Sequence, residues 1–301
     1  MANRKTRIAI IYDFDRTLST SEMQDGFIRS LDMDPDDFWK ETAKFAEKNS
    51  MDSKLAYLYL MISESRKSGK PISRRILKDF GKGVKFYKGV EEWFDLIDKV
   101  GKENDVIVEH YLISAGLSEI IEGTSIFRKF KKVYACEFLY DENGVPVWVK
   151  NVVNFTSKTQ FIFRINKGEF DISDERGVNE FVLHDERPYP FQNMIYIGDG
   201  TTDIPCMKLV KQNGGHSIGV YDRDRSEVSR LMYDDRINFV CKADYTQGSD
   251  LFERVSDIIG MISYDDRLRR KEYSDYKEAE KRQRPEKGEH MVDRVGDKDG
   301  K

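Results

Sequence analysis

Cysteine and histidine are scarce in this chain of 301 residues, with three of the first and four of the second. Cys136, Cys206 and Cys241 stand far apart with no CxxC pair, which disfavours a disulfide framework and suits packing residues in a reducing compartment. His110, His184, His216 and His290 are scattered without ligand spacing, so a zinc site is disfavoured and each reads as a surface or packing residue. Long apolar runs are also missing. The opening MANRKTRIAIIYDFD has basic residues, but its apolar run is short and ends in aspartates, so it reads as neither a secretion signal nor a membrane span. We expect a cytoplasmic protein. Nor is there a surplus of one charge: Lys plus Arg total 50 against 54 Asp plus Glu, a formal charge of -4. No basic field invites nucleic acid or an anionic membrane, and a small molecule is the expected partner. Oligomeric state is not legible from these features.

What is present is a rhythm of short apolar runs and amphipathic stretches. The chain is long enough for one large α/β core and a smaller accessory unit. Ile8 to Tyr12 is an unbroken apolar run, the pattern of a parallel strand covered on both faces. From about Ser19 to Lys85 the pattern turns helical. Asp34 and Pro35 make an N-cap and first-turn pair ahead of Phe38, Thr42 and Phe45. A second helix carries Leu55, Leu58, Tyr59 and Ile62 and stops before Gly69, its apolar stripe expected to be core; Ser73 caps a third.

The alternation resumes with a helix at Val90 to Val100 and a strand at Val106 to Ile113. VYACEFLYDENGVPVWV reads as a hairpin turning at Asn143-Gly144, with Pro146 on an edge strand. A helix from about Ser157 to Lys167, a strand at Met194 to Ile197, and the short runs SIGVY and INFVC complete the pattern. The expected fold is α/β, a doubly wound parallel sheet with a small helical cap inserted after the first strand. Expected boundaries are 1–18 and 87–262 for the core, 19–86 for the cap and 263–301 for a charged tail. That tail, dense in both charge signs and poor in core residues, reads as a solvated helix fraying into disorder.

Chemistry-bearing residues fall where strands end, and in an open parallel sheet ligands bind at the carboxyl ends of strands. Asp13 and Asp15 end the first strand, Ser114 ends the second, Asp199 and Asp203 follow the third, and Lys158 opens a helix returning to that edge. With Thr17, this brings four carboxylates, a lysine and two hydroxyls toward one crevice. Lys150 and Lys167 compete with Lys158 as the lysine. Converging carboxylates repel, and a divalent cation is the simplest remedy; an oxygen-only ligand set suits Mg²⁺. In GDGTTD, glycines on both sides of Asp199 make a tight turn that exposes its carboxylate, and the motif is not the dinucleotide GxGxxG.

Asp13-Phe14-Asp15-Arg16-Thr17, then Ser114, then Lys158, then Gly198-Asp199-Gly200-Thr201-Thr202-Asp203 resemble the four ordered motifs of the haloacid dehalogenase (HAD) superfamily, in its aspartyl-phosphatase branch. The helical insert after the first motif, and Glu22 shortly beyond it, are most similar to the phosphoserine phosphatase-like subgroup. The resemblance implies that Asp13 is a nucleophile forming an aspartyl-phosphate and that Asp15 is the general acid and base. It implies Mg²⁺ held by Asp13, the Asp15 backbone carbonyl and Asp199, with Asp203 either a further ligand or the residue that orients the others, and Thr17, Ser114 and Lys158 on the phosphoryl oxygens. The implied substrate is a small phosphate monoester. Glu22 resembles the residue that binds a substrate amine, with Lys54 or Arg66 nearest to serve a substrate carboxylate.

Two departures stand out. Thr202 occupies a position where phosphoserine phosphatases usually carry asparagine, and the stretch from Lys167 to Gln192 is longer than expected and reads as a surface loop. Asp15 argues against dehalogenation, since a halide leaving group needs no general acid. A phosphotransferase would use the same residues. A receiver-like phosphate-holding module shares the parts but would not carry Asp15 placed for hydrolysis.

Overall fold

The computed structural model describes residues 5–183 and 186–283. The apolar run predicted first is strand β1 (Arg7–Tyr12), and Ile8 to Tyr12 are completely buried because helices cover both faces of it. Behind it come α1 (Asp25–Ser30), α2 (Pro35–Asn49), α3 (Ser53–Ser68) and α4 (Arg74–Gly81). Asp34 caps α2 by accepting from Asp36 N and Asp37 N with Pro35 in the first turn, and Ser73 caps α4 through Ile76 N. The apolar stripe expected on α3 is rotated. Leu55 and Tyr59 are exposed, Tyr59 stacking on Phe45, while Ala56, Tyr57, Leu58, Leu60 and Met61 face inward. Tyr57 turns in because its hydroxyl finds a partner on strand β2 (Ile107–Leu117) of the sheet, donating to Ala115 O at 2.9 Å.

The remaining elements are α5 (Val90–Glu103), β2 (Ile107–Leu117), α6 (Ser118–Glu122), β3 (Lys132–Tyr140), β4 (Pro146–Asn151), α7 (Lys158–Lys167) and α8 (Glu175–Asn179). Then follow β5 (Met194–Gly198), α9 (Ile204–Gln212), β6 (His216–Tyr221), α10 (Ser226–Tyr233), β7 (Phe239–Lys242) and α11 (Asp250–Gln283). The strands form one seven-stranded sheet in the order β4-β3-β2-β1-β5-β6-β7, parallel except for the β3–β4 hairpin at its edge. Helices α5 and α11 pack together with sheet strands, as do α7 and α9 with others, the two layers of a doubly wound core. In the hairpin, Asp141 Oδ1 accepts from Asn143 N and Val145 N, and Pro146 sits on the edge strand, where its missing N–H is harmless.

Strand β2 runs four residues past the expected end, with its pairing to β3 shifting between Ile113 and Leu117. The two chain crossings into and out of the cap run side by side: Thr20 N donates to Lys85 O at 2.9 Å and Tyr87 N to Leu18 O at 3.0 Å. His110 is a packing residue, buried with Nδ1 2.9 Å from Tyr12 Oη and Nε2 3.2 Å from Asp98. His184, His290 and residues 284–301 lie outside the described residues. Helix α11 has no break at 262: Leu251, Phe252, Val255, Ile258, Ile259 and Ile262 are buried at helical spacing, and the helix continues as a solvated rod with Asp265–Arg269 and Asp266–Arg270 pairs, each at 2.7 Å.

Candidate active site

Strands β1 and β5 are parallel neighbours, but the chain leaves β1 toward β2 and leaves β5 toward β6. Their following loops therefore part and open a crevice at the carboxyl ends, the place such sheets bind ligands. Asp13 follows β1 directly, its N–H donating to Ile197 O at 2.9 Å, so the carboxylate is fixed relative to β5. Arg16 has a left-handed backbone, φ 57°, which turns the chain sharply before Thr17. Asp203 lies in a single 3-10 turn, Thr201–Asp203, that links β5 to α9.

Three of the predicted carboxylates converge: oxygens of Asp13, Asp199 and Asp203 all lie within 4.8 Å of one another. Lys158, at the first turn of α7 and wholly buried, donates to Asp13 Oδ1 at 2.8 Å and to Asp203 Oδ1 at 2.7 Å. Tyr196 Oη donates to the same Asp203 oxygen at 2.7 Å. Asp203 Oδ2 is buried and has no partner among the described residues. Gly198 permits this, since a Cβ there would stand 2.5 Å from Asp203 Oδ2. A buried carboxylate oxygen without a donor, in an all-oxygen cluster, fits a hard divalent cation such as Mg²⁺.

The electrostatics follow from this crowding. Burial, then the Asp203 charge, push the Asp13 carboxyl up to about 6, with Lys158 pulling the other way. Burial, then Asp203 and Asp13, push Asp199 up to about 8. Asp15 rises well above the ordinary carboxylate range through burial and then the Glu22 and Asp13 charges, although Met23 N donates to its Oδ1 at 2.8 Å. Burial works against the charge of Lys158, but Asp13 and Asp203 outweigh it and hold the ammonium protonated.

The other predicted residues take different places. Thr17 is buried with Oγ1 3.4 Å from Asp199 Oδ1. Ser114 is buried, its Oγ accepting from Gly116 N at 3.0 Å, and it does not cap α6. Glu22 lines a cavity of about 300 Å³ over the cluster and is paired to Arg16 at 3.2 Å. Lys54 lines the same cavity and Arg66 does not. Lys150 is paired to Glu137, and Lys167 is spent on Val178 O and Glu180 O, so neither competes with Lys158. The long stretch after Lys167 is held by Arg164, whose guanidinium donates to the carbonyls of Asp171, Ile172 and Asp174 at the end of α7 away from Lys158. Its described part lies at the far end of that helix and is not all loop, since it contains the short helix α8. A hollow of about 500 Å³ between Gly81, Tyr87, Glu92 and Ser125 contains none of the cluster.

Among known proteins, the profile of the haloacid dehalogenase-like hydrolases matches residues 10–208. The chain belongs to this family. An uncharacterized protein of Borreliella burgdorferi is 29% identical over 286 residues, covering 86% of this chain and 99% of that one. Among solved structures, this HAD-family chain is similar to a probable phosphoserine phosphatase from Vibrio cholerae (TM-score 0.54, 11% identity, 87% of this chain and 67% of that one). It is also similar to a phosphoserine phosphatase solved as a phospho-aspartyl intermediate analogue (TM-score 0.51, 16% identity, 83% and 97%). These likenesses show the fold, which this chain shares with both structures.

Sequence reasoning missed Gln24, Trp39, Tyr57 and Glu227, which also line the cavity. Three come from the cap side, where no strand end marks a position, and Glu227 comes from α10. Tyr196 had a readable signal: it stands two residues before Gly198 on β5, on the same side of the strand.

Proposed function

We propose that this HAD-family protein is a Mg²⁺-dependent phosphatase that hydrolyses a small, amine-bearing phosphate monoester through an aspartyl-phosphate on Asp13. The observation that carries the reading is Asp13 held at 2.8 Å by the buried ammonium of Lys158, two residues from an Asp15 whose environment favours protonation. A carboxylate nucleophile approaching a phosphate dianion must overcome repulsion, and the lysine offsets it.

An oxygen of Asp13 forms a bond to phosphorus as the bond to the leaving oxygen breaks, and Asp15 gives its proton to that oxygen, releasing the alcohol. Asp15, now a carboxylate, takes a proton from a water whose oxygen attacks phosphorus, which frees inorganic phosphate and restores Asp13. Asp13, Asp199, Asp203 and the Asp15 backbone carbonyl would hold Mg²⁺, which supplies charge neutralisation for the phosphoryl oxygens when bound. Thr17 and Ser114 would orient those oxygens. Glu22 suits a substrate ammonium, and Lys54 brings a positive charge to the same cavity for a carboxylate.

The test is phosphate release from p-nitrophenyl phosphate, with Mg²⁺ and with chelator, for the native protein and Asp13→Asn. Turnover that requires both metal and Asp13 supports the reading. Phosphate release that survives Asp13→Asn would refute the nucleophile, and transfer to added alcohols in preference to water would make the protein a phosphotransferase.

A further inference from the structure

The loop from Asp13 to Thr17 is gripped at both ends by one pair of buried aromatic side chains. Ahead of it, Tyr12 Oη accepts from Trp93 Nε1 at 2.9 Å. Behind it, Tyr245 Oη donates to Thr17 O at 2.7 Å, across 228 residues of sequence. Trp93 and Tyr245 meet edge to face, their ring centres 5.1 Å apart, and both are completely buried.

The backbone after β7 holds the Tyr245 ring in place. Ala243 N donates to Tyr221 O at 2.8 Å and Tyr245 N to Lys88 O at 2.9 Å, while Asp244 Oδ1 accepts from Thr246 N and Thr246 Oγ1. Gly89, with φ 82°, is needed for this approach, since a Cβ there would stand 2.6 Å from Thr246 N. Thr17 precedes the outgoing crossing to the cap and Lys88 follows the returning one, so Tyr245 ties both crossings together at their root.

Packing alone does not account for the hydroxyl. A phenylalanine would fill the same space beside Trp93, and a phenol taken wholly out of water costs free energy unless it finds a partner. The partner is the carbonyl of Thr17, a residue with no exposed surface. In that turn the N–H groups of Thr17, Leu18 and Ser19 all donate to Phe14 O, whereas the Thr17 carbonyl takes its donor from Tyr245. Thr17 Oγ1 in turn stands 3.4 Å from Asp199 Oδ1.

We propose that Tyr245 is a positioning residue for phosphoryl transfer: by anchoring the Thr17 carbonyl it fixes where Thr17 Oγ1 stands relative to Asp13 and Asp199. The inference rests on the phosphatase reading above and adds to it a residue beyond the span, 10–208, that the family profile matches. Tyr245 touches no reacting atom. It acts through Thr17, and a displacement of about 1 Å in such a site costs on the order of 100-fold in rate.

The experiment measures phosphate release from p-nitrophenyl phosphate with Mg²⁺ by the native protein, Tyr245→Phe, Thr17→Val and the double variant, at a temperature where thermal denaturation shows each to be folded. Tyr245→Phe keeps the ring and removes only the donor. It is expected to lower kcat about 10-fold or more while KM changes less than about 3-fold, because the substrate still binds but its oxygens are held out of line. Thr17→Val should be at least as slow, and the double variant no more than about 2-fold slower than Thr17→Val, since the two residues act as a unit. A merely structural hydroxyl would lower the melting temperature of Tyr245→Phe and leave kcat native, which would overturn the inference. A change confined to KM would overturn it too, as would additive costs in the double variant. Thr17→Val as fast as the native protein would do the same even if Tyr245→Phe failed to fold. In each of these cases native turnover leaves the phosphatase reading standing, whereas no turnover by the native protein would overturn that reading and the inference with it.

Discussion

The Nζ of Lys158 stands 2.8 Å from Asp13 Oδ1, across 145 residues of sequence, with both side chains removed from solvent. The lysine is the cation that lets the acidic cluster exist before any metal arrives. Lys158→Met should therefore destabilise the metal-free protein by about 3 kcal/mol or more, since it leaves buried charge uncompensated. Added Mg²⁺ should raise the melting temperature of this variant further than it raises that of the native protein. Thermal denaturation with metal and with chelator checks this, and equal stabilisation of both proteins would contradict it.

Asp15 is expected to matter most when the leaving group is poor. Asp15→Asn should slow an alkyl phosphate by about 100-fold or more, the usual weight of a general acid. p-Nitrophenyl phosphate, which departs without protonation, should still phosphorylate Asp13, and labelled protein should accumulate because no base activates water. Absence of trapped phosphoprotein, with both substrates slowed alike, would assign Asp15 another role.

The contact between α4 and α6 depends on two glycines. A Cβ on Gly81 would lie 2.0 Å from Ile120 O, and one on Gly123 would lie 1.8 Å from Lys78 O. Both obstacles are backbone, which cannot rotate aside. Gly81→Ala or Gly123→Ala should cost about 2 kcal/mol in urea denaturation, while Gly83→Ala, with its nearest neighbour at 3.5 Å, should cost much less.

Glu119 offers a pH test remote from the cluster. It is fully buried, its Oε1 accepts from Phe138 N and Tyr140 Oη, and its Oε2 has no partner among the described residues. Burial raises its carboxyl above the ordinary 4.5. The folded state then holds the proton more tightly than the unfolded state. This contribution is complete below the unfolded value and is lost as pH rises through the folded one. Glu119→Gln, which cannot ionise, should gain in melting temperature relative to the native protein between pH 5 and pH 8. A difference independent of pH would mean that Glu119 titrates alike in both states.

Much of the fold was legible because local rules and the tertiary outcome agree. The run at Ile8 to Tyr12, the Asp34-Pro35 and Ser73 caps and the Asn143-Gly144 turn each act within a few residues, and each appears in the structure. The stripe on α3 failed for a related reason. Apolar spacing located the helix, but which face turned inward was settled by Tyr57 reaching Ala115 on another element. Strand β2 outran its apolar core because pairing with β3 extends it to Leu117.

By itself the sequence determined the order of strands and helices, the shortage of metal-binding histidine and cysteine, and the acidic residues at strand ends, because short-range propensity and periodicity govern these. Only the tertiary structure decided that Lys158, rather than Lys150 or Lys167, enters the acidic cluster. It alone placed Lys54 and Gln24, and not Arg66, over the site. The physical reason is that a lysine or a glutamine carries no local mark of its partner. Its role depends on which distant backbone and charges the packed sheet and cap bring within about 3 Å.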